Sequence, residues 1–92
     1  MYHFSIRTIK YANREAGGKF FTAGAMRFFN SYVHQKVFGG CYFVTSEQFD
    51  HRSPRLYTVR KISEDGRVST VGDFQAFATA ADAYAMASSL AS

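Results

Sequence analysis

The stretch LYTVRKISEDGRVSTVGDF, residues 56–74, constrains this chain most: it is two alternating runs joined by Glu-Asp-Gly. Glu64-Asp65-Gly66 suits a type I turn with Gly66 in the left-handed bulge position, where glycine carries no steric penalty. That turn sets Ser63 against Arg67, Ile62 against Val68, Val59 against Val71, Leu56 against Phe74 and Tyr57 against Asp73. A two-residue Asp-Gly turn would break up both hydrophobic pairs. Side chains alternate across a strand, so Leu56, Ile62, Val68 and Phe74 share one face, and Tyr57, Val59, Lys61 and Val71 the other. The first set is expected to be core. The second is expected to stay outward as an open, half-apolar sheet face.

The remaining elements follow from period and punctuation. Residues 2–11 alternate as a first strand, with Phe4 and Ile6 on one face and Arg7 and Ile9 on the other. Asn13–Lys19 is a loop on its glycine pair. Thr22 caps a predicted helix running to about His34, with Met26, Phe29 and Val33 in one stripe and Arg27, Asn30, Ser31 and His34 opposite. After Gly39-Gly40, CYFVTSEQF reads as a strand and HRSP (51–54) as a turn. FATAADAYAMASSLA is a terminal helix capped by Thr79, with Asp82 in capping-box position and a seam of Ala83, Met86, Ala87 and Leu90. The predicted order is β-α-β-β-β-α. This is an α+β fold in a single domain, residues 1–92, with one antiparallel four-stranded sheet and two helices packed on one face.

At 92 residues the chain sits near the lower limit for a single core, but ten Phe and six Tyr give it enough to bury. The N-terminal MYHFSIRTIKYANRE lacks the apolar segment of a secretion signal, and no apolar run approaches the length of a membrane span. One Cys excludes an internal disulfide framework. These features lead to the expectation of a small soluble protein, and the single Cys fits a reducing cytoplasm. The net charge of +4 is uneven: residues 1–36 carry +5, residues 37–62 carry +2 and residues 63–92 carry −3. The first two-thirds therefore suits an acidic partner such as nucleic acid, and the last third does not.

No catalytic constellation is recognisable, so the chain is expected not to be an enzyme. His3, His34 and His51 fall in different elements without metal-ligand spacing, and Cys41 has no base paired with it. GGKFFT places Phe where a phosphate-binding loop needs Ser or Thr after its Lys. Asp50-His51 forms an acid–base pair only with partners the pattern does not supply. No cofactor or metal is expected. Two clusters suit binding. Arg27, Asn30, Ser31 and His34, followed by Lys36, offer donors at helical spacing for phosphate and sugar contacts. Arg52 and Arg55 at the proline turn, with Tyr57, Arg60 and Lys61 along the hairpin, offer stacking, cation–π or carboxylate pairing.

From Thr22 onward the α-β-β-β-α order resembles double-stranded-RNA-binding domains, but the last helix begins TAADAYA, without the cations that grip phosphate there. The sequence itself is closer to another group. The run GKFFTAGAMRFFNSYVHQKVFGGCYFVTSEQFDHRSPRLYTVRKISEDGRVSTVGDFQAF is similar to phage anti-CRISPR proteins acting on type I-F surveillance complexes, a resemblance that covers at least residues 19–77. The resemblance implies stoichiometric inhibition: docking on the multi-subunit CRISPR RNA-guided complex, against its backbone subunits or guide RNA, and blocking target-DNA binding. It carries no residue-level motif, so the site residues above come from the chain's own pattern. The alternative expectation is a free-standing nucleic-acid-binding module or regulator from a mobile element.

Overall fold

The computed structural model describes residues 4–28 and 30–92, so the expectations placed on His3 and Phe29 lie outside the described residues. The elements are α1 (Ile6–Glu15), α2 (Ala23–Phe28), β1 (Tyr32–Phe38), β2 (Tyr42–Glu47), β3 (Leu56–Ile62), β4 (Val68–Thr70) and α3 (Ala80–Ala91). The fold is α+β, with a four-stranded antiparallel sheet in the order β1-β2-β3-β4. The element order is α-α-β-β-β-β-α, not the predicted β-α-β-β-β-α, and the helices lie on both faces of the sheet.

The bulged hairpin forms as expected. Ser63 N–H donates to the Arg67 carbonyl at 2.9 Å, Gly66 N–H donates to the Ser63 carbonyl, and Gly66 has φ +90°. Ile62 pairs with Val68, and Val71 N–H reaches the Val59 carbonyl. The expected Leu56–Phe74 and Tyr57–Asp73 pairs do not form. Gly72 (φ +75°) and Gln75 (φ +57°) turn the chain away, and Tyr57 instead exchanges backbone hydrogen bonds with Phe77 at 2.8 and 3.1 Å.

Of the first predicted strand, residues 2 and 3 lie outside the described residues and residues 6–11 belong to helix α1. Ser5 caps it in a reciprocal capping box with Thr8, and Ile6, Ile9 and Asn13 are buried at i, i+3 and i+7. The predicted helix from Thr22 starts where expected but stops at Phe28. Asn30, in the left-handed region at φ +47°, closes it. Asn30 N–H donates to the Arg27 carbonyl and Ser31 N–H to the Met26 carbonyl, a Schellman-type C-cap. The following YVHQKVF, rich in β-branched and aromatic residues, then forms β1. A register shift between Val33 and Val37 bulges that edge strand.

Phe43 and Val44, adjacent on β2 and both fully buried, point into two separate cores. Phe43 packs with Ile6, Ile9, Val33 and Ile62 under α1, and Val44 packs with Val59, Ala83 and Ala87 under α3. The expected outward patch is therefore covered, since Val59 is 0% exposed and Tyr57 and Val71 pack against the α3 core. Of the expected core set only Ile62 is fully buried. Leu56 and Val68 are half-buried, and Phe74 is exposed because β4 ends before reaching it.

Thr79 caps α3 by accepting from Asp82 N–H, as expected. Of its predicted seam, Ala83 and Ala87 are buried, whereas Met86 and Leu90 are largely exposed. The small residues let α3 lie close to the sheet. At Gly39 (φ +58°), between β1 and β2, a Cβ would come within 2.7 Å of Ala91 Cβ.

Candidate interaction site

The α1 face of the sheet carries a polar centre beside its apolar core. Thr45, Glu47, Thr58 and Arg60 are all buried there. The Arg60 guanidinium donates from Nε to Thr45 Oγ1 at 3.0 Å, from Nη1 to Thr70 Oγ1 at 2.6 Å and from Nη2 to Glu47 Oε2 at 3.3 Å. Thr58 Oγ1 donates to the other carboxylate oxygen at 2.7 Å. Burial pulls the Arg60 guanidinium below its ordinary pKa, and the adjacent Glu47 carboxylate opposes that shift. The rings of Phe20 and Phe74 lie 4.9 and 5.4 Å from Arg60 Cζ. Gln75 N–H donates to Thr58 Oγ1 at 2.9 Å, which ties the loop carrying Phe74 to this centre.

Two concavities open above the pair and share the Phe74 ring. One, of about 470 Å³, is lined by Phe20, Met26, Ser31, Arg60, Thr70 and Phe74. The other, of about 240 Å³, is lined by Phe28, Glu47, Gln48, Phe49, Phe74 and Gln75. Phe49 is 89% exposed, Phe28 79% and Phe74 45%. These rings come from three separate connections: the end of α2, the β2–β3 loop and the β4–α3 loop. Exposed large apolar side chains gathered in one place mark an interaction surface more often than scattered ones do.

The structure brings some of the ten predicted site residues together and separates others. Arg55 Nη1 donates to the Asn30 carbonyl at 3.0 Å and to Ser46 Oγ at 2.9 Å, while Asn30 Nδ2 donates to Gln48 Oε1 at 2.8 Å. Arg55 therefore ties the α2–β1 turn to the sheet. Ser31 lines the larger concavity, and Arg27 is exposed on α2 beside Phe28. The expected helical stripe through His34 does not exist, because His34 lies on β1 and faces α3. Its Nδ1 is hydrogen-bonded with Tyr84 Oη, and the Tyr57 ring lies 5.7 Å away. His34 Nε2 is buried with no hydrogen-bond partner among the described residues. Burial, and secondarily the charge of Arg55, push the His34 pKa down, with Glu47 opposing.

Lys36 and Lys61 sit over the rings of Phe38 and Tyr42 on the α3 side. They are apart from Arg60, which the hairpin's alternation puts on the α1 side. Arg52 is exposed in the turn that Asp50 organises by accepting from Arg52 N–H and Ser53 N–H. Those bonds hold Asp50 below the usual carboxylate range, so it is ionised and committed to the turn beside His51. Cys41 is half-buried against the α1 core. Among the described residues no group of His, Cys, Asp or Glu could hold a metal ion, and no helix is long and apolar enough to cross a membrane.

Sequence reasoning missed Glu47, Phe28, Phe49 and Phe74 as members of one site. Phe49 is the last residue of the predicted strand CYFVTSEQF, and no local signal sets it apart. Convergence of the other three depends on the sheet order and on where α2 stops.

Fold and site together define a small α+β domain with helices on both faces of an antiparallel sheet and an aromatic groove at one end. Residues 5–88 match a protein family described as a family of unknown function (DUF7447), and the chain belongs to that family. No curated protein and no solved structure matches the chain.

Proposed function

We propose that this protein works by binding and not by catalysis, as an inhibitor that docks on an RNA-guided CRISPR surveillance complex and blocks its access to target DNA. The observation that carries the binding reading is the convergence of Phe28, Phe49 and Phe74 on one groove lined by Glu47, next to the concavity that Arg60 lines. Aromatic rings beside arginines are the usual anchors of protein interfaces, and here Arg27 adjoins Phe28 while Arg52 follows Phe49 by three residues. The choice of partner rests on the resemblance of residues 19–77 to type I-F inhibitors. The positive balance of residues 1–62 suits a complex built around RNA.

The test is co-purification with an assembled type I-F complex, together with a target-DNA binding assay. The wild-type chain is expected to co-elute and suppress DNA binding. Phe28→Ser with Phe49→Ser, both at exposed positions, is expected to keep the fold and lose about tenfold or more in affinity, as for paired hot-spot residues. Failure of the wild type to co-elute overturns the choice of partner. Undiminished binding by the folded double variant overturns the role of the groove.

A further inference from the structure

Along α1, two clefts of about 350 and 490 Å³ adjoin and share Asn13 and Gly18. Together they make one channel along the C-terminal half of α1 and over the Gly17-Gly18 turn. Lys10 and Arg14 line one end, and Lys19 and Arg67 the other. Arg67 is paired with Asp65 at 3.4 Å. Among the described residues, no carboxylate lies within ion-pair distance of Lys10, Arg14 or Lys19.

Arg7 continues the row. Arg7, Lys10 and Arg14 stand at i, i+3 and i+7 along the flank of α1 next to its buried Ile6, Ile9 and Asn13. Such spacing places neighbouring Cβ atoms about 5–6 Å apart. Tyr11, 63% exposed, stands beside that row.

We propose that this channel binds the sugar–phosphate backbone of single-stranded nucleic acid. A row of cations, of which Lys10, Arg14 and Lys19 have no carboxylate partner among the described residues, fits a linear polyanion in an elongated cleft better than one small anion. The exposed Tyr11 ring offers a stacking face for a base, the pairing of groove and aromatic that strand-binding proteins use. A bilayer surface fits less well, because it needs apolar side chains directed outward. Here Phe20 and Phe21 pack inward, with ring centroids 6.5 and 6.2 Å from that of buried Phe43. The channel adjoins the larger concavity at Phe20 but includes none of Phe28, Phe49 and Phe74 and needs no protein partner, so it goes beyond the inhibitor reading.

The test is fluorescence anisotropy of the full chain with a labelled single-stranded RNA, repeated across a salt series and alongside phosphatidylglycerol vesicles. Neutralising three phosphates on a single strand gives a slope of about −2 in log affinity against log salt. Lys10→Glu with Arg14→Glu is expected to lower affinity at low salt by roughly tenfold or more and to flatten that slope. Lys10→Gln with Arg14→Gln, which changes charge less, is expected to fall between that variant and the wild type. Lys36→Glu with Lys61→Glu, the same charge change on the α3 side, measures the effect of net charge alone and is expected to lose much less. Absence of binding at low salt, equal losses in the two charge-reversed variants, or binding to vesicles without binding to RNA each overturns the proposal.

Discussion

Asn13 Nδ2 on α1 donates at 2.9 Å to the carbonyl of Gly66, the bulge residue of the β3–β4 turn. The same glycine lies so close to the Ala12 carbonyl that an added Cβ would collide with backbone. One contact thus docks the N-terminal helix on the turn that sets the hairpin register. Replacing Asn13 by Ala removes the buried donor and is expected to cost about 1–3 kcal/mol. That corresponds to a fall in Tm of roughly 4–8 °C per kcal/mol for a domain of this size. Gly66→Ala is expected to cost more, since it meets both the positive φ and the Ala12 carbonyl. Thermal melts decide this, and a Tm unchanged in both variants would remove the docking role.

The Glu47–Arg60 pair predicts a different pattern. Breaking it from one side leaves a buried charge, so Glu47→Gln and Arg60→Ala are each expected to destabilise by about 3–5 kcal/mol. Glu47→Leu combined with Arg60→Met removes both charges at similar volume and is expected to recover much of that loss. Urea titration of the three variants reads the pattern. Losses that simply add in the double variant would show that the two side chains act separately.

His34 gives the pH dependence. Its folded pKa is depressed, so the folded state holds fewer protons than the unfolded chain below the ordinary histidine value of about 6.5. The contribution is complete above that value and is lost as pH falls through the folded pKa. His34→Phe is expected to flatten this slope. NMR titration of the imidazole checks it directly, and a midpoint at or above the ordinary value would contradict the burial argument. Asp50 and Asp65, also depressed, act in a separate and more acidic window, below the ordinary carboxylate value.

The three groove phenylalanines should not behave alike. Phe28 and Phe49 are largely exposed, so their Ser variants are expected to change stability by no more than about 0.5 kcal/mol and to raise solubility. Phe74 covers the Arg60 guanidinium, and Phe74→Ala is expected to lower Tm measurably. Equal melting of all three variants would sink the distinction.

The parts of the fold that were legible in the sequence are those fixed by local chemistry. Glu64-Asp65-Gly66 dictates its own bulged turn, and Thr22 and Thr79 mark helix starts. Residues 4–9 were misread because Phe-Ser-Ile-Arg-Thr-Ile alternates as well as it repeats helically, and the Ser5–Thr8 capping box lacks the usual Glu or Gln. That error also hid the cation row, which a strand would divide between two faces and a helix gathers on one flank. The helix through His34 was overrun because Asn30 adopts a left-handed conformation, a choice settled by contacts with Gln48 and Arg55 from distant strands. Arg60 and Lys61, adjacent in sequence and grouped as one basic cluster, end on opposite faces because the hairpin alternates.

The sheet's two borders have a further consequence. β1 is bulged and β4 is three residues long, so neither offers a straight run of free backbone amides and carbonyls. An incoming strand would find little to zip onto. Under the binding proposal, recognition would fall to side chains on loops and helix flanks, which can change without disturbing the sheet. The same blunted borders should keep copies from stacking edge to edge when the protein is abundant.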